Sequence, residues 1–237
     1  MLHKNLNFVI EKVGLKNILY LHGWGGNKDS LKVLKNVPNA TIMSLDFFSS
    51  SEYFESSYDT YQSALDVYLT LKENGIDKIS IVAHSYGGRV AIILASVFGV
   101  EIENMFLIAS AGINFFDIKK LLKITNFKLV KMGVKMHLLN EQVLQKYGSQ
   151  DYKNLDSNFK QIFKNIVRQD LRYLLDKISA KHTHLIYGNN DKITSIKICK
   201  FLNKKIINSK AYIFKSADHF AYLKYPNEIL KIITENI

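Results

Sequence analysis

The feature that most constrains this chain is a set of short, nearly unbroken apolar runs at residues 17–21, 41–45, 79–83, 105–109, 184–187 and 211–214. Most of these runs do not alternate apolar with polar. A strand of that kind needs cover on both faces, as in a parallel sheet lined by helices. Helix-period segments separate the runs, at 30–35, 58–73, 87–97, 196–204 and 227–235. Strand, helix, strand in repetition predicts an α/β fold with a mostly parallel, doubly wound sheet.

One stretch breaks the rhythm. Residues 113–178 contain no strand pattern, only amphipathic ones such as Leu121, Leu122, Ile124 and Leu129, then Phe159, Ile162, Phe163 and Ile166. The stretch lies between the run ending at 109 and the run starting at 184. This predicts a helical cap, residues 113–180, inserted over one edge of the sheet. A chain of 237 residues is long enough for one well-buried domain and too short for two of full size, so 1–237 is read as a single domain.

Composition narrows the function classes. Apolar residues make up 47% and charged residues 22%, the balance of a globular protein. The longest nearly apolar stretch, residues 90–100, is too short to span a bilayer. Residues 1–12 lack the apolar core and cleavage site of a signal peptide. Cys199 is the single cysteine, so neither an intrachain disulfide nor a cysteine-based metal site is available, and a reducing, cytoplasmic setting is expected. The net charge of +11 is concentrated: residues 113–181 hold 14 Lys and Arg against 6 Asp and Glu. Such a segment is either a solvated helical face or a surface for an acidic carrier protein or an anionic lipid surface. Nucleic acid is not expected, because no recognition motif or aromatic–basic platform is present.

The chemistry centres on Ser85. The apolar run 79–83 leads through Ala83-His84-Ser85-Tyr86-Gly87-Gly88 into a segment rich in Ala, Ile and Leu, so Ser85 sits on a sharp strand-to-helix turn. Small residues two before and two after it, Ala83 and Gly87, let the turn close. This is the G-x-S-x-G elbow with alanine at its first position. The turn lifts the hydroxyl above the sheet at a helix N-terminus, where backbone N–H groups stabilise an oxyanion. After the first apolar run comes Leu21-His22-Gly23-Trp24-Gly25-Gly26. Its glycines let the backbone approach a bound carbonyl, so the N–H groups of Trp24 and Tyr86 are the candidate oxyanion donors, with His22 a structural hydrogen-bonder.

A serine hydroxyl is a poor nucleophile unless a base takes its proton. The loop after 184–187 reads Gly188-Asn189-Asn190-Asp191, and the loop after 211–214 reads Ser216-Ala217-Asp218-His219. A carboxylate and an imidazole, each directly after a strand and in the order Ser, Asp, His, give Asp191 and His219 as orienting acid and base. Asp117 ranks below Asp191 as the acid, and Asp218 is expected to shape its loop. His84 is expected to point away from the nucleophile. His3, His137, His182 and His184 lack metal-ligand spacing, and neither metal nor cofactor is called for.

On these motifs the chain resembles the α/β-hydrolase superfamily over nearly its whole length. Within it, the chain resembles small bacterial serine esterases related to pimeloyl-acyl-carrier-protein methyl ester esterase. The stretches 147–152 and 167–178 resemble caps in that group. Two places depart from the pattern: Asp46-Phe47-Phe48-Ser49-Ser50-Ser51 replaces an Asp-x-Pro-Gly-x-Gly turn, and Ser195 stands near where a proline follows the acid. The resemblance implies a carboxylesterase that forms an acyl-enzyme on Ser85 from a small or acyl-chain ester, carrier-linked or free. The same triad also supports lyase and cofactor-free peroxidase chemistry, and a non-catalytic ligand-binding member of the fold is the reading from another class.

Overall fold

The computed structural model describes residues 6–48, 55–115 and 155–237, together with 126–127, 130–132, 134–136, 140 and 142–143. Seven strands form one sheet: β1 (Asn7–Lys12), β2 (Lys16–Leu21), β3 (Ala40–Asp46), β4 (Lys78–His84), β5 (Glu101–Ile108), β6 (His182–Gly188) and β7 (Ser209–Phe214). Their order across the sheet is β1-β3-β2-β4-β5-β6-β7. Only β1 runs antiparallel, against β3. The helices are α1 (Thr60–Glu73), α2 (Tyr86–Ser96), α3 (Ser157–Arg168), α4 (Ile196–Lys205), α5 (Ala221–Lys224) and α6 (Pro226–Asn236).

The apolar runs split by parity between two cores. Leu19, Leu21, Ile81, Ala83, Met105, Leu107, Leu185 and Tyr187 pack under α1, α2 and α4. Ile18, Tyr20, Val82, Phe106, Ile108 and Ile186 face the other way, against Leu31, Leu34 and α6. Successive side chains point to opposite faces, so a strand covered on both sides reads as continuous hydrophobicity.

The strand order reverses between β2 and β4, since β3 follows β2 in sequence on one side and β4 on the other. In open α/β sheets the crevice outside the carboxyl ends at such a reversal is where ligands bind. The loop after β2 and the turn after β4 meet there.

Three expectations change. The helix expected over 30–35 is one 3-10 turn, Lys32–Leu34, because Leu31 and Leu34 reach the core at i, i+3 and Pro38 holds the residue before it out of helical conformation. The edge strand β1 carries no continuous apolar run, since it pairs only with β3 and is largely open to solvent. The strand expected at 105–109 starts earlier, at Glu101, whose end of the sheet is polar and ion-paired through Lys78, Glu103 and Lys181, and it stops before Ala109, which has φ +46°.

Of the cap pattern, Phe159, Ile162, Phe163 and Ile166 lie on α3, which Asp156 caps by accepting from the Phe159 N–H. Leu121, Leu122, Ile124, Leu129 and the stretch 147–152 lie outside the described residues. No helix among the described residues is long and apolar enough to cross a membrane.

Candidate active site

Ser85 occupies the turn between β4 and α2 with φ +49° and ψ −103°, a backbone region that non-glycine residues rarely adopt. Backbone bonds to β5, α2 and the loop after β5 hold it there: its N–H donates to Ile108 O at 3.0 Å, and its carbonyl accepts from Gly88 at 3.1 Å and Ala111 at 3.2 Å. Gly87 is required by contact. A Cβ there would lie 2.3 Å from the Leu21 carbonyl oxygen, whereas the glycine N–H donates to His22 O at 3.1 Å. The elbow is thereby fastened to the loop after β2.

The structure brings the three expected side chains together. His219 Nε2 lies 3.0 Å from Ser85 Oγ, and His219 Nδ1 lies 2.9 Å from Asp191 Oδ2. Asp191 is closed off from solvent. Its other oxygen accepts from the N–H groups of Ile193 at 2.7 Å and Thr194 at 2.9 Å, and the Thr194 hydroxyl donates to Oδ2 at 2.6 Å. Burial alone would raise the carboxyl, but the hydrogen bonds from His219 and Thr194 outweigh it and hold Asp191 below the ordinary carboxylate value. The ring proton therefore belongs on Nδ1, leaving the Nε2 lone pair facing the serine.

Around the hydroxyl lie the two candidate donors. Tyr86 is the first residue of α2, so its N–H has no partner within the helix. Among the described residues the N–H of Trp24 meets no acceptor. His22 shapes this loop, as its sequence position suggests: Nδ1–H donates to Gly23 O at 2.7 Å and Nε2 accepts from the Phe47 N–H at 3.1 Å. The Trp24 indole packs against Phe48 (4.8 Å between ring centroids), Phe163 (5.1 Å), Tyr86 (6.0 Å) and Phe159 (6.3 Å). An aromatic wall thus joins the β2 loop, the β3 end and α3 beside the serine.

No protein-family model matches the chain. Monoacylglycerol lipase ABHD6 of Mus musculus is 23% identical to it over 92% of this chain and 74% of that protein. Lipase 1 of Psychrobacter immobilis is 21% identical over 85% of this chain and 70% of its own. The solved esterase EaEST of Exiguobacterium antarcticum superposes with a TM-score of 0.72 at 16% identity, over 97% of this chain and 95% of that one. The chain has the α/β-hydrolase fold.

Several parts of this site have no motif of their own. Thr194 was not singled out, although Asp-x-x-Thr is the spacing at which an aspartate collects the N–H groups two and three residues on. The aromatic wall is long-range and leaves only scattered Phe and Tyr in the sequence. His84 is expected to point away from the nucleophile, and among the described contacts it makes no hydrogen bond to Ser85; its ring lies 4.9 Å from that of His219. Asp218 accepts from the Phe220 N–H at 2.9 Å and shapes the loop as expected. Asp117, His3 and His137 lie outside the described residues. His184 meets Asn104 at 3.2 Å and stacks on Phe106, and no metal-ligating cluster of three or more His, Cys, Asp or Glu occurs among the described residues.

Buried histidines make this fold acid-sensitive. Burial pushes His84 down to about 3 and His184 to about 4, and lowers His22. All three enter the fold neutral, whereas the unfolded chain protonates them near ~6.5. Below that value the unfolded state binds more protons, so stability falls as pH falls, by about 1.4 kcal/mol per pH unit for His84 alone until its folded value is reached. Melting temperature measured from pH 7.5 to 4.5 is expected to drop steadily below pH 6.5. A flat profile over that range would contradict neutral burial.

Proposed function

We propose that the protein is a serine hydrolase of carboxylesterase type that cleaves carboxylic esters through an acyl-enzyme on Ser85. The observation that carries this reading is the unbroken hydrogen-bonded path from Ser85 Oγ through both nitrogens of His219 to Asp191. In it, His219 Nε2 takes the serine proton as Oγ attacks the ester carbonyl, and the N–H groups of Trp24 and Tyr86 hold the oxyanion. The proton passes to the departing alkoxide. Water then gives its proton to the same nitrogen as it attacks the acyl-enzyme, the Oγ–acyl bond breaks to release the acid, and Nε2 returns the proton to Ser85 Oγ. Asp191 fixes the imidazole tautomer and stabilises its charged form. Lipases and esterases among the relatives support the reaction class.

The aromatic wall beside Trp24 supports an apolar acyl chain as the recognised group, and the packing of Phe159 and Phe163 on Trp24 supports residues 113–180 as a cap over the site. The positive surplus of residues 113–181 supports delivery of the ester by an acidic carrier protein or from an anionic lipid surface. The lone, buried Cys199 supports a cytoplasmic setting.

The test is a series of p-nitrophenyl esters from acetate to decanoate, run beside labelling with a fluorophosphonate probe. With about 0.8 kcal/mol per buried methylene, kcat/KM is expected to rise by up to about fourfold per added carbon over the first few members. Absence of turnover across the series, with Ser85 unlabelled, would overturn the proposal.

A further inference from the structure

His84 ends β4 immediately before the serine and is almost fully buried. Its Nε2 lies 3.0 Å from the backbone oxygen of His219. A carbonyl only accepts, so Nε2 carries the proton and donates. Burial keeps the ring neutral, which makes this tautomer the one the site retains as solution pH changes. The ring also packs against the rings of His219 (4.9 Å), Phe220 (5.5 Å) and Tyr222 (5.0 Å). On its other side it meets the loop after β2 so closely that a Cβ on Gly23 would lie 2.7 Å from His84 Nδ1. One side chain therefore touches the loop bearing the base and the loop bearing a candidate oxyanion donor, and it is covalently adjacent to the nucleophile.

We propose that His84 is a positioning residue: its Nε2–H anchors the His219 carbonyl, and its ring sets the spacing between the His219 loop and the Gly23–Trp24 backbone across the serine. The inference rests on the serine-hydrolase reading. Its physical basis is the short path involved. The Asp191 contact fixes the imidazole at its Nδ1 end, but rotation or retreat of residue 219 as a whole still alters the 3.0 Å separation between Nε2 and Ser85 Oγ. A hydrogen bond from residue 84 to the main chain of residue 219 removes that freedom, because residue 84 moves with the serine. Displacement of a reacting group by about 1 Å costs on the order of 100-fold in rate. The loop needs such a tie, since its entry residue Ser216 holds φ +57° and Phe220 is half exposed.

The test compares His84→Phe and His84→Asn with His84→Gln. Phenylalanine keeps the ring and loses the donor, asparagine keeps an amide too short to reach the carbonyl, and glutamine carries its N–H near the position of Nε2. With p-nitrophenyl butyrate, the first two are expected to lose about 10- to 100-fold in kcat with KM changed less than about twofold, and His84→Gln to stay within about fivefold of wild type. Hydrogen exchange of the 216–222 amides is expected to quicken about tenfold in His84→Phe and to recover in His84→Gln. A folded His84→Phe or His84→Asn variant within twofold of the wild-type kcat would overturn the proposal, as would a His84→Gln variant as impaired as the other two. If the wild type shows neither turnover nor fluorophosphonate labelling, the hydrolase reading fails and exchange alone decides on His84. Unchanged 216–222 exchange in His84→Phe then overturns the anchoring role too.

Discussion

Replacing Ser85 with alanine is expected to lower kcat toward an activated ester by on the order of 10⁵-fold or more, leaving only what the proposed oxyanion donors and binding supply. The size of the loss follows from the geometry. The serine hydroxyl is the atom at the end of a path that includes the Nε2 of His219 and the carboxylate of Asp191, and no other described hydroxyl or thiol bonds to that Nε2. The change should leave the fold intact. Among described contacts Oγ bonds only to His219, and alanine inherits the same positive φ, whose strain is held by the backbone bonds to Ile108, Gly88 and Ala111. Burst kinetics and circular dichroism on the same preparation separate the two effects. A well-folded Ser85→Ala protein within 100-fold of wild type would remove the serine from the mechanism. Because the groups act as a unit, His219→Ala added to Ser85→Ala is expected to cost little more.

The extent to which this site could be read in the sequence follows the range of the interactions behind each part. The two-faced sheet was legible because covering both sides of a strand leaves a continuous apolar run, as at residues 79–83. The elbow was legible because sterics act over two residues: Gly87 sits against Leu21 and admits no Cβ. Asp191 and His219, the candidate acid and base, were legible as polar residues directly after strands, where the chain order needed no long-range information. Contacts that join distant segments were not legible. Phe163 reaching Trp24, or His84 reaching the carbonyl of His219 across 135 residues, leaves no spacing to detect. The edge strand β1 was missed for the related reason that one-sided pairing relaxes the demand for apolar residues.

Asp191→Asn is expected to lower kcat by about 10⁴-fold while changing KM and melting temperature little. The direction follows from the bonds already in place. The N–H groups of Ile193 and Thr194 both donate to Asp191 Oδ1, so in the variant they select the amide oxygen for that position. The amide nitrogen must then take the place of Oδ2, where it faces His219 Nδ1 and the Thr194 hydroxyl. An N–H pointing at Nδ1 requires a lone pair there and moves the ring proton to Nε2. That proton meets Ser85 Oγ, and the imidazole can no longer accept from the serine. The hydroxyl of Thr194, 3.2 Å from Nδ1 and 3.0 Å from the Ala109 carbonyl, can turn its proton to that carbonyl and accept from the new amide, which stabilises the inactive tautomer. Nitrogen-15 chemical shifts of the His219 ring report the tautomer directly. An Asp191→Asn protein that keeps its proton on Nδ1 and turns over within tenfold of wild type would show that the carboxylate is not what orients the base.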